Sequence, residues 1–112
     1  MPGIDFDVQI EESDGVATLR MSGDVNRSSQ DALDRSWAGT TGSSVVLDFT
    51  DVDYINSTGI AVIVGLLARA RAAGRSVRAF GLTDHYREIF QITRIADFMA
   101  IYDDERTAVT AG

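Results

Sequence analysis

Between residues 45 and 67 the hydrophobic period changes once, and that change constrains the fold more than any other feature of the chain. Val45, Val46 and Leu47, followed by Asp48 and Phe49, form a short β-rich apolar run, whereas Ile60, Ile63, Val64 and Leu67 recur at i, i+3, i+4 and i+7. A buried strand therefore hands over to an amphipathic helix. The residues between them, Thr50-Asp51-Val52-Asp53-Tyr54, read as an acidic loop, and Ile55-Asn56-Ser57-Thr58-Gly59 opens the helix. Ser57 is placed to supply the N-cap oxygen. The first amides of a helix have no intrahelical acceptor. A phosphate replacing the hydroxyl hydrogen of Ser57 would meet those donors and the positive end of the helix dipole.

The flanking segments extend the same alternation of elements. Phe6, Val8 and Ile10 alternate with Asp7, Gln9 and Glu11, and Asp14-Gly15 turns the chain into Val16 to Met21, which predicts a hairpin. Ser28 or Ser29 caps a short helix that places Leu33 and Trp37 on one face and ends at Gly39 and Gly42. Beyond the Ser57 helix, Gly74 stops the chain and Val77 to Gly81 reads as a strand. Thr83 or Asp84 then starts a helix that packs Tyr86, Ile89, Phe90 and Thr93. Met99 to Tyr102 reads as a last short strand, and Asp103 caps a brief helix through Val109. The order ββαβαβαβα defines an α/β fold: a small mixed β-sheet, with an antiparallel first hairpin and then parallel crossovers, packed with about four helices. Ile60, Ile63, Val64 and Leu67 against Val45, Val46 and Leu47 are expected at its centre. With no linker or repeat and one terminal proline, Pro2, residues 1–112 read as one domain.

Charge and composition remove several classes of function. A net charge of -7 argues against nucleic acid, whose phosphates demand a basic footprint. Residues 1–60 hold eleven acids against three arginines, so acidity concentrates on the half carrying Ser57. Such a face suits a basic protein partner, and is equally what a solvated surface looks like. Without cysteine there is no disulfide, thiolate site or cysteine nucleophile. Met1 to Asp7 lacks the basic and apolar regions of a signal peptide, and no apolar run approaches the ~20 residues of a membrane helix. A cytoplasmic protein without membrane insertion is expected.

Catalysis finds little support in the residues. Serine hydrolysis needs a base, and the one histidine, His85, lies in the opening turn of a helix. The Gly-x-Ser-x-Gly spacing is absent because Ile55 stands two before Ser57. Asp48, Asp51 and Asp53 would permit a magnesium site. A receiver-type site, however, also uses a paired acid after the first strand and a late lysine, and the chain contains no lysine. Neither P-loop nor Gly-x-Gly-x-x-Gly spacing occurs. No enzyme, metal or cofactor is expected.

The ordered set of motifs resembles the STAS domain, found in bacterial anti-sigma factor antagonists and in the tails of sulfate transporters. The matching residues are Val46-Leu47-Asp48-Phe49, Ile55-Asn56-Ser57-Thr58-Gly59-Ile60, Gly23-Asp24-Val25-Asn26, Ala70-Arg71-Ala72-Ala73-Gly74 and Ile95-Ala96-Asp97-Phe98. The resemblance implies an anti-sigma factor antagonist without enzymatic activity. Its unmodified form would bind an anti-sigma factor serine kinase of the histidine-kinase-like ATPase fold and release the sigma factor. Phosphorylation at Ser57, with Thr58 as a second acceptor, would end the complex, and a serine phosphatase would be a further partner. Asp24, Asn26, Asn56, Ser57, Thr58 and Gly59 would form the partner-binding surface, Gly59 letting the partner's backbone approach. Asn56 and Asn26 stand where the family commonly has Asp. If those acids contact the partner, kinase recognition changes; if they mainly repel phosphate, asparagine eases phosphorylation. The alternative is a scaffold or sensor subunit that binds protein partners or a small ligand without phosphorylation.

Overall fold

The computed structural model describes residues 5–111; Pro2, most of the Met1-to-Asp7 segment and the final residue of the 1–112 span lie outside them. Five strands form one mixed sheet in sequence order: β1 (Asp7–Ser13), β2 (Val16–Val25), β3 (Ser44–Ile55), β4 (Ser76–Phe80) and β5 (Ala100–Tyr102). β1 and β2 are antiparallel and the remaining pairs are parallel. The helices are α1 (Gln30–Ala38), α2 (Ser57–Ala72), α3 (Asp84–Ile92) and α4 (Glu105–Thr110). The predicted order and mixed sheet are therefore observed.

Local chemistry accounts for the hairpin. Asp14 and Gly15 both have positive φ, 53° and 78°, and a two-residue turn of that hand matches the twist of the strands it joins. Ser13 pairs with Val16 across it.

Because side chains alternate across a strand, β3 feeds two cores. Val45, Leu47 and Phe49 face the main core with Leu19, Met21, Leu33, Ile63 and Phe90, whereas Val46 meets Phe80 and Ala108 on the other face. Successive parallel neighbours joined by crossovers of one hand place their helices on one face. α1, α2 and α3 cover the main core, and α4 packs on the opposite face. Each fully buried Leu, Ile or Phe contributes roughly 1.5–3 kcal/mol.

Four sequence expectations are corrected. β3 runs on through Asp51, Val52 and Asp53 to Ile55 rather than ending at Phe49. Its register against β2 slips twice, between Arg20/Ser22 and between Gly23/Asp24, and bulges of this kind break the apolar alternation that marks a strand. Asp48 accordingly lies inside the strand. Val64, expected in the core, is exposed; Leu66 and Ala70 are buried in its place, and Ile60 is half-buried. The last helix is capped by Asp104, whose side chain accepts from the amide of Thr107, and not by Asp103. Ser28 and Ser29 do not cap α1 through their side chains; Asn26 caps the 3₁₀ turn Arg27–Ser29 that leads into it, accepting from the amide of Ser28.

Candidate functional site at the amino end of α2

Parallel β2 and β3 deliver two loops to the same edge of the sheet. Val25 and Ile55 are register partners at their carboxyl ends, so Asn26 and Asn56 leave the sheet side by side. The amide of Asn56 donates to the carbonyl of Val25 at 3.3 Å, which ties the loops together. Tyr86, read from the sequence only as helix packing, pins β3 from α3: its hydroxyl accepts from the amide of Ile55 at 2.9 Å. Nothing in the sequence distinguishes it from an ordinary core tyrosine.

Asn56 caps α2, and Ser57 does not. The Asn56 Oδ1 accepts from the amide of Gly59 at 2.8 Å and from the hydroxyl of Thr58 at 2.7 Å. Asparagine has a rigid acceptor one bond further from the backbone than serine and is an equally good cap. The cap thus falls one residue earlier than expected. Ser57 becomes the first helical residue, exposed, and its hydroxyl makes no hydrogen bond to any described residue. Thr58 is also exposed but is engaged on both sides, because its Oγ1 additionally accepts from the amide of Arg27 at 3.0 Å.

Gly59 is buried. A Cβ at this position would lie 2.0 Å from the carbonyl oxygen of Val25, so the close approach that glycine permits is to this chain's own β2 and not to a partner's backbone. The opposite loop is built to match. Ser29, fully buried, accepts from the amide of Asn26 at 3.1 Å and donates to the carbonyl of Asp24 at 3.3 Å. Asp24 and Asn26 are half-buried.

The electrostatics around Ser57 are mixed, where sequence counts led to the expectation of an acidic face. Asp51 and Asp53 are exposed on β3. Beside Thr58, however, a groove of about 280 Å³ is lined by Arg27 and Arg69 together with Gln30, Val62 and Gly65. Arg69 also pairs with Asp34 of α1. The three carboxylates weighed as a metal site do not converge: Asp48 is buried and bonded to Arg20, while Asp51 and Asp53 point to solvent. His85 is exposed, and its ring packs edge-on against Tyr86.

A mixed sheet with this strand order, and a serine that follows the cap of the second helix, define a class of small α/β domain. The chain belongs to the STAS domain family, whose model matches residues 7–108. An anti-sigma-B factor antagonist of Listeria monocytogenes is 36% identical over 59 residues, 53% of this chain and 52% of that protein. The chain thus matches about half the length of that curated relative. A crystal structure of an anti-sigma factor antagonist from Mycobacterium paratuberculosis superposes with a TM-score of 0.73 at 22% identity, covering 96% of this chain and 93% of the other. The Bacillus cell fate determinant SpoIIAA in its phosphorylated form gives 0.65 at 14% identity, covering 90% and 96%. At such identities the two structures establish the shared fold. Among the described residues no helix is long and apolar enough to cross a membrane.

Proposed function

We propose that this protein is an anti-sigma factor antagonist whose partner binding is ended by phosphorylation of Ser57. The observation that carries it is the contrast between adjacent hydroxyls: Thr58 is fastened at both ends, whereas Ser57 stands exposed with a free oxygen on a firmly capped helix end. Anti-sigma factor antagonists are what the Listeria relative and the Mycobacterium structure are named. The Bacillus structure is of a phosphorylated form.

The transfer requires no base in this chain. A partner serine kinase of the histidine-kinase-like ATPase fold brings ATP. Its base takes the Ser57 proton as Oγ bonds to the γ-phosphorus, and the bond to the β,γ-bridging oxygen breaks to release ADP. The phosphate adds ~1.5 to 2 negative charges at a surface formed by Asp24, Asn26, Asn56, Ser57 and Thr58. The amides of Ser57 and Thr58, which have no acceptor among the described residues, lie where a helix amino end favours an anion. The domain therefore keeps its fold while the surface that docks the partner becomes more negative. A serine phosphatase restores the binding form. Thr58 is the poorer acceptor, since its modification breaks two hydrogen bonds.

Intact-mass spectrometry of protein from its native cells, under growth and stress, tests this. A phosphate adduct in the wild type that is absent from Ser57→Ala is expected, with the anti-sigma kinase recovered preferentially by the unmodified form. Asn56 and Asn26, neutral where the family resemblance leads to the expectation of acids, favour a second reading as a scaffold that binds without modification. That reading prevails if no adduct forms in any condition and Ser57→Ala recovers the same partners.

A further inference from the structure

The carboxyl half of α2 carries a second surface that the Ser57 site does not use. Val64 and Phe98 are 47% and 54% exposed, and both line an open groove of about 270 Å³ between α2 and the segment that follows α3. Leu67 and Ile95 form its apolar floor. Val64 keeps the helical spacing of the core residues, so it presents a hydrophobic side chain at a position where α2 is not covered.

The charge on this groove is opposite to that of the chain. Net charge is -7, yet the charged residues lining the groove are Arg71 and Arg94, and with Arg94 paired to Asp97 the uncompensated charge is that of Arg71. The guanidinium of Arg71 lies 5.3 Å above the ring of Phe98, which positions it at the rim with its donors available. Arg94 adopts a left-handed conformation, φ 66°, and is held there by its own bond to Asp97 at 2.8 Å.

We propose that this groove docks an amphipathic helix of a partner protein, one whose apolar residues are flanked by Asp and Glu. A groove walled by a helix takes the apolar face of another helix, and the Arg71 guanidinium at its edge selects a carboxylate beside that face. A second copy of this chain fits less well. Its other exposed large apolar residues are isolated, Ile10 and Tyr54 on strands and Ile92 at the last position of α3, whose Tyr86 and Phe90 are buried in the core, so no described helix presents an exposed apolar stripe flanked by acids. Ten residues separate Ser57 from Leu67 along α2, about 15 Å of helix. The groove is therefore a surface separate from the Ser57 site, and it engages its own partner whether or not Ser57 is modified.

The test is titration of the ¹⁵N-labelled full chain with a 14-residue helical peptide carrying Leu at i, i+3, i+4 and i+7 and Glu at the flanking positions, beside a peptide with Lys in place of Glu. Saturable shifts of the amides of Val64, Leu67, Arg71, Ile95 and Phe98 are expected, with binding at least tenfold weaker for Phe98→Ala and for Arg71→Glu and absent for the Lys peptide. Both replaced side chains are exposed, and an unchanged melting curve verifies that the variants fold. Equal binding of the two peptides, or shifts confined to the Ser57 end, overturns the proposal. So does sedimentation showing self-association that Phe98→Ala abolishes, which assigns the groove to a second copy. None of these readings depends on phosphorylation of Ser57.

Discussion

Arg20 and Asp48 are register partners on the parallel β2–β3 pair, and the guanidinium Nη1 of Arg20 donates to Asp48 Oδ2 at 3.0 Å. The same guanidinium bonds Glu11 on β1 and, through both terminal nitrogens, Glu105 at the start of α4. One arginine thus joins three elements on the face of the sheet opposite the main core. Replacing it with methionine leaves the buried carboxylate of Asp48 without its cation. A loss of about 1 to 3 kcal/mol is expected, reduced relative to a deep ion pair because Arg20 is about one third exposed. Chemical denaturation of Arg20→Met checks this, and Glu105→Gln should lose less because Glu105 retains solvent.

Acid acts first at α4. The amide of Thr107 holds the Asp104 carboxyl below the usual carboxylate range, assisted by Arg106. A carboxylate lowered in the folded state stabilises that state above its unfolded pKa, and this contribution fades as pH falls through the lower folded value. Below pH ~4 the Thr107 amide should therefore lose hydrogen-exchange protection before the core amides do. Asp104→Asn keeps a capping oxygen that does not titrate, and should remove that pH dependence. Arg20 makes no comparable contribution to pH sensitivity. Glu105 and its other carboxylate partners hold its pKa above an already high value, so the guanidinium keeps its own charge until strong alkali.

Gly59→Ala is expected to be more damaging than its size suggests. Its added methyl meets the Val25 carbonyl, a backbone atom that cannot rotate away. Overpacking of this kind costs ~1 to 3 kcal/mol, or several degrees of melting temperature at about 4 to 8 °C per kcal/mol. A melting curve within a degree of the wild type would contradict the described packing.

Asn56 separates capping from charge. Asn56→Ala removes the acceptor of both the Gly59 amide and the Thr58 hydroxyl, and should destabilise by ~0.5 to 2 kcal/mol. Asn56→Asp should leave stability nearly unchanged, since aspartate caps as well, while placing a negative charge beside Ser57. Thermal melts of the two variants distinguish these outcomes, and the rate of phosphate transfer to the Asp variant by the kinase of the proposed switch measures what a charge at this position does. A slower transfer means that the acid repels phosphate.

The sequence revealed those parts of the fold in which one face of each element is buried and the period is regular. α2 and the first half of β3 were legible from Val45 to Leu47 and from Ile60, Ile63 and Leu67. The second half of β3 was not, because its register slips remove the alternation and β4 accompanies it only as far as Asp48. Ser57 was found because its signal is local: a hydroxyl at the junction of two periods. The identity of the cap was misassigned because Asn56 and Ser57 are both good capping residues, and backbone geometry decides between them. The contacts from Tyr86 to Ile55 and from Arg27 to Thr58 bridge residues 31 apart and leave no trace in spacing.

The margins of the sheet carry a further consequence. A strand with one unpaired side can recruit another chain by hydrogen bonding along its backbone, and here β1 and β5 are the two outermost strands. β5 offers only three residues, Ala100–Tyr102, too short a template to hold a stranger. β1 offers seven, but all except Val8 are exposed, and they include the acids Asp7, Glu11 and Glu12. Two identical molecules meeting edge to edge would set like charges opposite one another. The domain can thus crowd in many copies without its sheets knitting together.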